Sequence, residues 1–187
     1  MSEEVKIAVR FGVYGSILAF IVALIILLSG KSPLGDAGWM GIWVPVVSIW
    51  FADVQIKKLN NNYLSFKNAF AYGTITLIVY ALLYEILFYI FSIFNSVALE
   101  YYIDETIRKF EEVPDILGGK DSELYNQMIT QTQNLTLEQA VSSEFILKIV
   151  GGLFLVLAIS NFVRSRNKPE NNENQETEEV SIIDDNE

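Results

Sequence analysis

The chain of 187 residues contains no cysteine and no histidine. The lack of cysteine excludes disulfides and thiolate nucleophiles, and the lack of histidine removes the commonest ligand of zinc, copper and iron. A metal site would have to be built from carboxylates alone. We therefore expect no metal and no cofactor.

Basic residues are also scarce, since 13 lysines and arginines stand against 23 acids and the formal net charge is −10. The acids concentrate in one long loop and in the tail beyond Val163. The sequence has no basic patch that would attract the phosphates of DNA or RNA, so no nucleic-acid partner is expected.

Charge is almost absent from four long stretches. Residues 69–99 hold a single charged side chain, Glu85, in 31 positions. A helix rises about 1.5 Å per residue and a bilayer core is about 30 Å thick, so roughly 20 residues suffice to cross. The sequence thus predicts an all-α fold, an integral membrane four-helix bundle. Its spans are expected at about 8–28, 37–56, 66–98 and 143–165, within a transmembrane domain of residues 1–168.

The first two spans carry specific expectations. The first has 18 uncharged residues, 11–28, more than the roughly 7 to 15 of a cleaved signal peptide, which favours a retained helix over that alternative. In the second span, Pro45 is expected to kink the helix rather than end it. Asp53 is expected to pair with Lys57, one helical turn further on.

The distribution of lysine and arginine predicts the orientation. Basic residues concentrate at the N-terminus, after span two and after span four. By the positive-inside rule, both termini are cytoplasmic and the long loop is extracytoplasmic. Trp39 and Trp43 then lie near the outer interface. Together with Trp50 they share one face of span two, where we interpret them as filler of the bundle or of an interface.

The extracytoplasmic loop, residues 99–142, is expected to form a small helical cap. Apolar residues at helical spacing from Leu99 onward predict that span three continues beyond the membrane as an amphipathic helix, which Pro114 and the Gly118-Gly119 pair end. A second helical piece is expected at about 122–133. Such a cap is too small to be an enzyme domain in its own right.

The last helix and the tail follow this cap. Thr136 followed by Gln139 is a capping-box pattern, which starts a helix near Leu137 that runs continuously into span four. Residues 169–187 are rich in Asn, Gln and Glu and hold few apolar residues. Because such a segment cannot bury enough surface to offset chain entropy, we expect a disordered acidic cytoplasmic tail. The tail and the outer loop are the two places where we expect a protein partner to bind.

Glu85 is the candidate site residue with the clearest rationale. Counting about 1.5 Å per residue places it roughly 26 Å above the inner boundary of the membrane, and Lys148 roughly 24 Å above it. The equal depth predicts an interhelical ion pair between Glu85 and Lys148. Intramembrane charges often mark proton relays or substrate contacts. The alternative, which we favour, is a structural pair that fixes the helix register.

A second candidate feature is a stripe of small residues on span one. Gly15, Ala19 and Ala23 recur every four residues and let another backbone approach closely. The sequence does not decide between packing within the chain, which we favour, and contact with a second copy in a homo-oligomer.

Five residues at the start of span three carry a resemblance to a known family. Ser65-Phe66-x-x-Ala69-Phe70-x-x-Gly73 resembles the signature of the family called domain of unknown function 4199. The resemblance covers residues 7–168. It implies a bacterial inner-membrane protein, mostly from Bacteroidetes, with four spans, and it carries no catalytic residue to this chain.

Two functions remain open from the sequence. The first is a non-enzymatic interaction or regulatory membrane protein that uses its cap and tail. The alternative is a small transporter or channel component centred on Glu85. No constellation of Ser, Asp and Glu indicates catalysis, so we expect no enzyme.

Overall fold

The computed structural model describes residues 1–112, 119–120 and 122–165. Every regular element in these ranges is helical. The elements are α1 (Glu3–Leu28), a 3-10 helix (Asp36–Gly41), α2 (Trp43–Leu59), α3 (Phe66–Phe94), α4 (Val97–Glu112), α5 (Glu123–Gln133) and α6 (Leu137–Val163). The predicted all-α fold class is confirmed.

Within the ranges that the structure describes, four helical segments are long and apolar enough to cross a bilayer, namely α1, Asp36–Leu59, α3 and α6. Large apolar side chains such as Ile25, Ile90 and Leu157 are exposed on the surface of the bundle. A continuous apolar surface of this kind is stable in lipid rather than in water. The chain is therefore a multi-pass membrane protein.

Side-chain caps begin several of the helices. Ser2, Ser65 and Ser122 precede α1, α3 and α5, and each accepts a hydrogen bond from the backbone N–H three residues further on. Thr136 and Gln139 form the predicted capping box, with bonds of 3.3 and 3.1 Å. From this box α6 runs without interruption to its end, as predicted.

The four long helices pack as a bundle in which α3 contacts the other three. Its buried face includes Leu77, Tyr80 and Phe88. Close approach to α1 depends on Gly12, because a Cβ there would lie 2.7 Å from Cβ of Val79 and 2.9 Å from the carbonyl oxygen of Thr76. The bundle therefore uses glycine where two backbones meet.

The expected kink at Pro45 is wrong. The second span consists of the 3-10 helix followed by α2, and α2 begins only at Trp43. Pro45 thus lies in the first turn of α2, where a missing backbone N–H breaks no intrahelical bond. As a result α2 has 17 residues, whereas α1, α3 and α6 have 26, 29 and 27.

The expected continuation of span three is also wrong. Helix α3 ends at Phe94, and Asn95 has extended backbone angles. The Asn95 side chain accepts a hydrogen bond of 3.1 Å from the N–H of Val97, where α4 begins. Asparagine ends the helix because its side chain competes for backbone groups. Pro114, Gly118 and the tail 169–187 lie outside the described residues.

The two ends of the bundle differ in their contacts. At one end, which we call the latch end, the turn between α2 and α3 contacts the end of α6. There Ser165 and Leu64 exchange two hydrogen bonds, of 2.8 and 3.1 Å. Asn61 and Asn62 form this turn with positive φ, which asparagine tolerates well. The opposite end, at which the 3-10 helix contacts α4, we call the cap end. There the Ser32 hydroxyl donates a hydrogen bond of 2.7 Å to the Ala98 carbonyl.

Candidate functional site

An ionic cluster lies between α3 and α6 in the half of the bundle nearer the cap end. The structure brings Glu85 and Lys148 together, with Lys148 Nζ 3.0 Å from Glu85 Oε1. Lys148 also donates to Glu144, one turn earlier on α6. Glu85, Glu144 and Lys148 form this ionic cluster. With two carboxylates and one ammonium group, the cluster has a formal charge of one negative unit.

The cluster is largely removed from solvent. Glu85 is 6% exposed, and its second oxygen, Oε2, has no hydrogen-bond partner among the described residues. The Lys148 ammonium lies 4.4 Å from the centre of the Tyr84 ring, a cation–π contact. Tyr84 is stacked in turn between Tyr80 and Phe88. An aromatic wall therefore holds the lysine against both carboxylates.

A large cavity opens beside this cluster at the cap end. Its volume is about 770 Å³, within the range of roughly 300–1,000 Å³ typical of ligand sites. The walls come from α1, the 3-10 helix with the start of α2, α3 and α6; α4 covers the top. Its lining includes Ala19, Val22, Ala23 and Ile26 of α1, Leu77, Tyr80 and Tyr84 of α3, and Glu144, Lys148, Gly151 and Leu155 of α6. On the side of the second span, the lining includes Asp36, Trp39 and Gly41 of the 3-10 helix and Pro45 of α2.

A second ionic group lies at the top of the cap-end cavity. Lys109 of α4 contacts Asp36 of the 3-10 helix at 2.6 Å and Glu105 at 3.2 Å. Glu105 also accepts from the backbone N–H of Asp36 and covers Gly35, where any Cβ would collide with its carboxylate. The hydrogen bond with Asp36, followed by that with Glu105, raises the pKa of Lys109. The i,i+4 spacing of Glu105 and Lys109 predicts their pair, whereas the contact with Asp36, 73 positions from Lys109, could not be predicted from spacing. This group attaches α4 to the bundle.

Asp53 corrects another expectation. The structure does not pair it with Lys57, whose ammonium instead donates to the Val163 carbonyl at the end of α6 over 2.8 Å. The Lys57 position suits the negative end of that helix dipole. Asp53 is fully buried and faces Gly73 of α3, and neither of its oxygens has a hydrogen-bond partner among the described residues. The sequence predicts the pair with Lys57 because the two residues lie one helical turn apart, and helical spacing alone cannot show that Asp53 faces the interior of the bundle.

The small residues of α1 are all buried within the bundle. A Cβ at Gly15 would lie 2.3 Å from the Ser48 hydroxyl and 3.2 Å from the Tyr80 ring, so this position packs against α2 and α3. Ala19 and Ala23, which are 6% and 2% exposed, form part of the cavity wall. The stripe therefore serves contacts within the chain.

The five signature residues lie at the latch end. Ser65 caps α3, and the rings of Phe66 and Phe70 stack with centroids 6.2 Å apart. Ala69 is fully buried, and Gly73 gives room to Val156 of α6 and Ile49 of α2. Their contacts indicate a structural role in starting α3 and seating it against α2 and α6.

The tryptophans do not fill the bundle. Trp39, Trp43 and Trp50 are 71%, 46% and 42% exposed. Part of the expectation is therefore wrong, because their face of the second span points away from the core. Trp39 also borders the cap-end cavity.

The described residues hold no group of three or more acidic side chains placed for a metal ion. Glu85 and Glu144 both bond to Lys148, which occupies the position that a cation would take between them. Within the part of the chain that the structure describes, this arrangement suits charge pairing and the recognition of a polar group at the cavity wall.

Comparison with known proteins assigns the family and leaves the activity open. No curated protein and no solved structure matches the chain. One family model matches residues 10–165, a range that begins within α1 and includes the other three membrane-spanning segments and the signature. The chain therefore belongs to the family described as "Protein of unknown function (DUF4199)".

Proposed function

We propose that this protein is a non-enzymatic membrane protein that binds an amphiphile of the bilayer in the cap-end cavity. The observation that carries the proposal is the cavity itself, a space of about 770 Å³ with mostly apolar walls and a few polar groups at one side. Ligand sites of this construction are apolar clefts with a small number of polar side chains that orient the ligand.

The position of the cavity favours a ligand that comes from the membrane. Leu147 and Phe154 of α6 border it and are 67% and 72% exposed. These side chains belong to a membrane-spanning helix, so the cavity margin adjoins lipid. A hydrocarbon chain gains access from the bilayer without crossing water, whereas a water-soluble ligand has to pass the cover formed by α4.

The chemistry of the lining supports binding rather than catalysis. Lys148 is occupied by Glu85 and Glu144, and Lys109 by Asp36 and Glu105. No nucleophile activated by a neighbouring base lies among the described lining residues, which is the arrangement that covalent catalysis needs. The proposal therefore assigns no reaction to this site.

The proposal includes the orientation expected from the basic residues. Both termini are cytoplasmic in a bacterial inner membrane, and α4 and α5 lie outside the cytoplasm. The cavity then opens in the outer half of the bilayer. Ligand binding in the cavity is the event that the protein reports to a partner. The α4–α5 cap and the acidic tail, 169–187, are the segments that bind a protein partner or a second copy of the chain.

The test measures saturable binding of tritiated hexadecanol to purified full-length protein in maltoside micelles by scintillation proximity. Gly151→Phe should abolish binding, because Gly151 lines the cavity and a Cβ there meets nothing within 4 Å, so the ring fills the space without a clash in the helix packing. Ala158→Phe, at an exposed position of the same helix, is the matched control and should bind as wild type. Absence of saturable binding to the wild-type protein would refute the proposal.

A second candidate function is a small transporter or channel component centred on Glu85. The unpartnered oxygens of Glu85 and Asp53 favour it, because buried intramembrane acids mark ion pathways. Gly73, which Asp53 faces, lies about 18 Å from Glu85 along α3, with Leu77 and Ala81 between them, which speaks against a continuous polar path. Proton or cation flux in proteoliposomes that Glu85→Gln abolishes would favour this second function over the first.

A further inference from the structure

We infer that the acidic tail, 169–187, docks on a basic surface at the latch end of its own chain. The inference goes beyond the proposed function and does not depend on it. It rests on the charges that the helices bring to the latch end, on the partners of those charges, and on the place where the described chain ends.

Positive charge accumulates at the latch end of the bundle. The end of α2, the start of α3 and the end of α6 lie there, and so does the start of α1, where the Glu4 side chain is hydrogen-bonded to that of Asn60. Within the described residues these segments carry the basic side chains Lys6, Arg10, Lys57, Lys58, Lys67 and Arg164. Their acids are Glu3, Glu4 and the buried Asp53, so the exposed charge at this end is predominantly positive.

Three of the basic side chains are exposed and make no ion pair or hydrogen bond with the part of the chain that the structure describes. They are Lys58, Lys67 and Arg164, which together we call the basic latch surface. At the cap end, by contrast, Lys109 and Lys148 each contact two carboxylates. Unpaired cations gathered at one end of a molecule attract a segment of opposite charge.

The described chain ends within the basic latch surface. Ser165 follows Arg164 and donates through its N–H to the Leu64 carbonyl over 2.8 Å, three residues before Lys67. Lys57, the neighbour of Lys58, donates to the Val163 carbonyl over 2.8 Å. These bonds anchor the point from which the tail departs beside all three members of the surface.

The tail that departs from this point carries the complementary charge. Residues 169–187 contain eight acids and neither lysine nor arginine. Their number equals that of the basic residues at the latch end once Arg166 and Lys168 are included. The two charged segments are thus matched in amount as well as in sign.

The tail acids are also within reach. An extended chain spans at most about 3.4 Å per residue, so from Ser165 Glu170 can reach roughly 17 Å and Glu179 roughly 48 Å. Neighbouring helices in a bundle lie about 8–10 Å apart, so the basic latch surface falls inside this range. Because the tail is covalently attached, its docking is intramolecular and needs no capture from solution, which favours it over a separate anion.

The test is zero-length carbodiimide cross-linking of the full-length protein in phosphatidylcholine nanodiscs, with and without phosphatidylglycerol. The reagent joins a lysine amine to a carboxylate that it touches, and mass spectrometry identifies the joined peptides. We expect links from Lys58 and Lys67 to tail acids in both kinds of nanodisc. The link between Lys109 and Asp36, which are 2.6 Å apart at the cap end, is the internal reference.

Salt and one arginine distinguish docking from mere attachment of the tail. Relative to the reference, the yield of the tail links should fall severalfold between about 20 mM and about 500 mM NaCl, because salt screens exposed charges. Arg164→Gln should lower the yield by about twofold to fivefold, the effect of one exposed ion pair. Arg108→Gln removes the same charge from an exposed position on α4, is the matched control, and should leave the yield unchanged.

Four outcomes would overturn the inference. The first is absence of the tail links, and the second is a yield that responds neither to salt nor to Arg164→Gln, since attachment alone then explains the links. The third is links that join heavy to light chains after mixing with ¹⁵N-labelled protein, which would assign the tail to a second copy. The fourth is loss of the links when phosphatidylglycerol is present, which would assign the surface to lipid headgroups.

Two features keep the test decisive. If Arg164→Gln does not purify as a folded protein, the salt dependence of the wild-type links still decides, because it needs no variant. None of the measurements uses hexadecanol, so the proposed function stands or fails separately.

Discussion

At the scale of single residues, Asp53 is notable among the described part of the chain because both of its carboxylate oxygens are buried without a hydrogen-bond partner. It is fully buried between α2 and α3, and both oxygens lack a hydrogen-bond partner among the described residues. Because an uncompensated carboxylate is costly to bury, Asp53→Asn should raise the midpoint of thermal unfolding in detergent by several degrees. Asp104→Asn, at an exposed position of α4, should leave the midpoint unchanged. A lower midpoint for the Asp53 variant would show that its carboxylate has a stabilising partner.

Two glycines predict opposite effects of the same substitution. Gly12→Ala should destabilise the bundle by about 1–3 kcal/mol, because its Cβ would collide with Val79 and with the backbone of Thr76. Gly151→Ala should stabilise α6 by about 1 kcal/mol or less, because its Cβ has open space and alanine favours the helix. The free energies of unfolding of the two variants are compared by denaturing each protein in mild detergent and monitoring its helicity by circular dichroism. Equal effects would contradict the close approach of α1 and α3.

The residue scale also shows how far sequence reasoning reaches. Depth counting along two straight helices put Glu85 and Lys148 at the same height, and the structure places their charged atoms 3.0 Å apart. Helical spacing also predicts an ion pair between Asp53 and Lys57, because the two residues lie one turn apart. In the structure, the Lys57 ammonium donates to the end of α6 instead. The difference is that helical rise fixes height, whereas the choice between neighbouring helices depends on tertiary packing.

At the scale of elements, the attachment of α4 to the 3-10 helix predicts a dependence on pH. Bonding to Asp36 raises the pKa of Lys109 above its ordinary value of 10.5. The contribution to stability is therefore complete below that value and is lost as the pH rises through the raised pKa. The thermal midpoint of the wild-type protein should fall more between pH 10 and 11.5 than that of Lys109→Arg, whose guanidinium stays charged. The effect should be small, because the Lys109 side chain is 41% exposed. Parallel curves would contradict a role for this ion pair.

The sequence predicts a helix boundary where a capping motif of two residues marks it. It does not do so where the boundary depends on a single side chain. The Thr136–Gln139 pattern placed the start of α6 correctly because both members act within four residues. The break at Asn95 was missed because the apolar periodicity continues across it, and only the hydrogen bond to Val97 reveals it. A proline within an apolar span predicts a kink, and the sequence does not show that the turn before Pro45 is a 3-10 helix.

At the scale of the whole molecule, the absence of cysteine makes the proposed topology easy to measure. Single cysteines at Glu3, Asn68 and Gln127 report the N-terminus, the latch end and α5. A membrane-impermeant maleimide applied to intact cells should label Gln127→Cys and leave Glu3→Cys and Asn68→Cys unlabelled until the cells are opened. Labelling of Glu3→Cys in intact cells would reverse the orientation and place the cavity in the other half of the bilayer.

The unequal strength of the two bundle ends has a mechanical consequence. At the latch end, the Ser165 N–H donates to the Leu64 carbonyl, the Leu64 N–H donates to the Ser165 hydroxyl, and the Lys57 ammonium donates to the Val163 carbonyl. At the cap end, α4 is joined to the rest by the contacts of Lys109 and Glu105 with Asp36 and by the hydrogen bond from the Ser32 hydroxyl to the Ala98 carbonyl. Because the side chains of Lys109 and Asp36 are 41% and 74% exposed, we expect α4 to separate from the 3-10 helix more readily than the turn between α2 and α3 separates from α6.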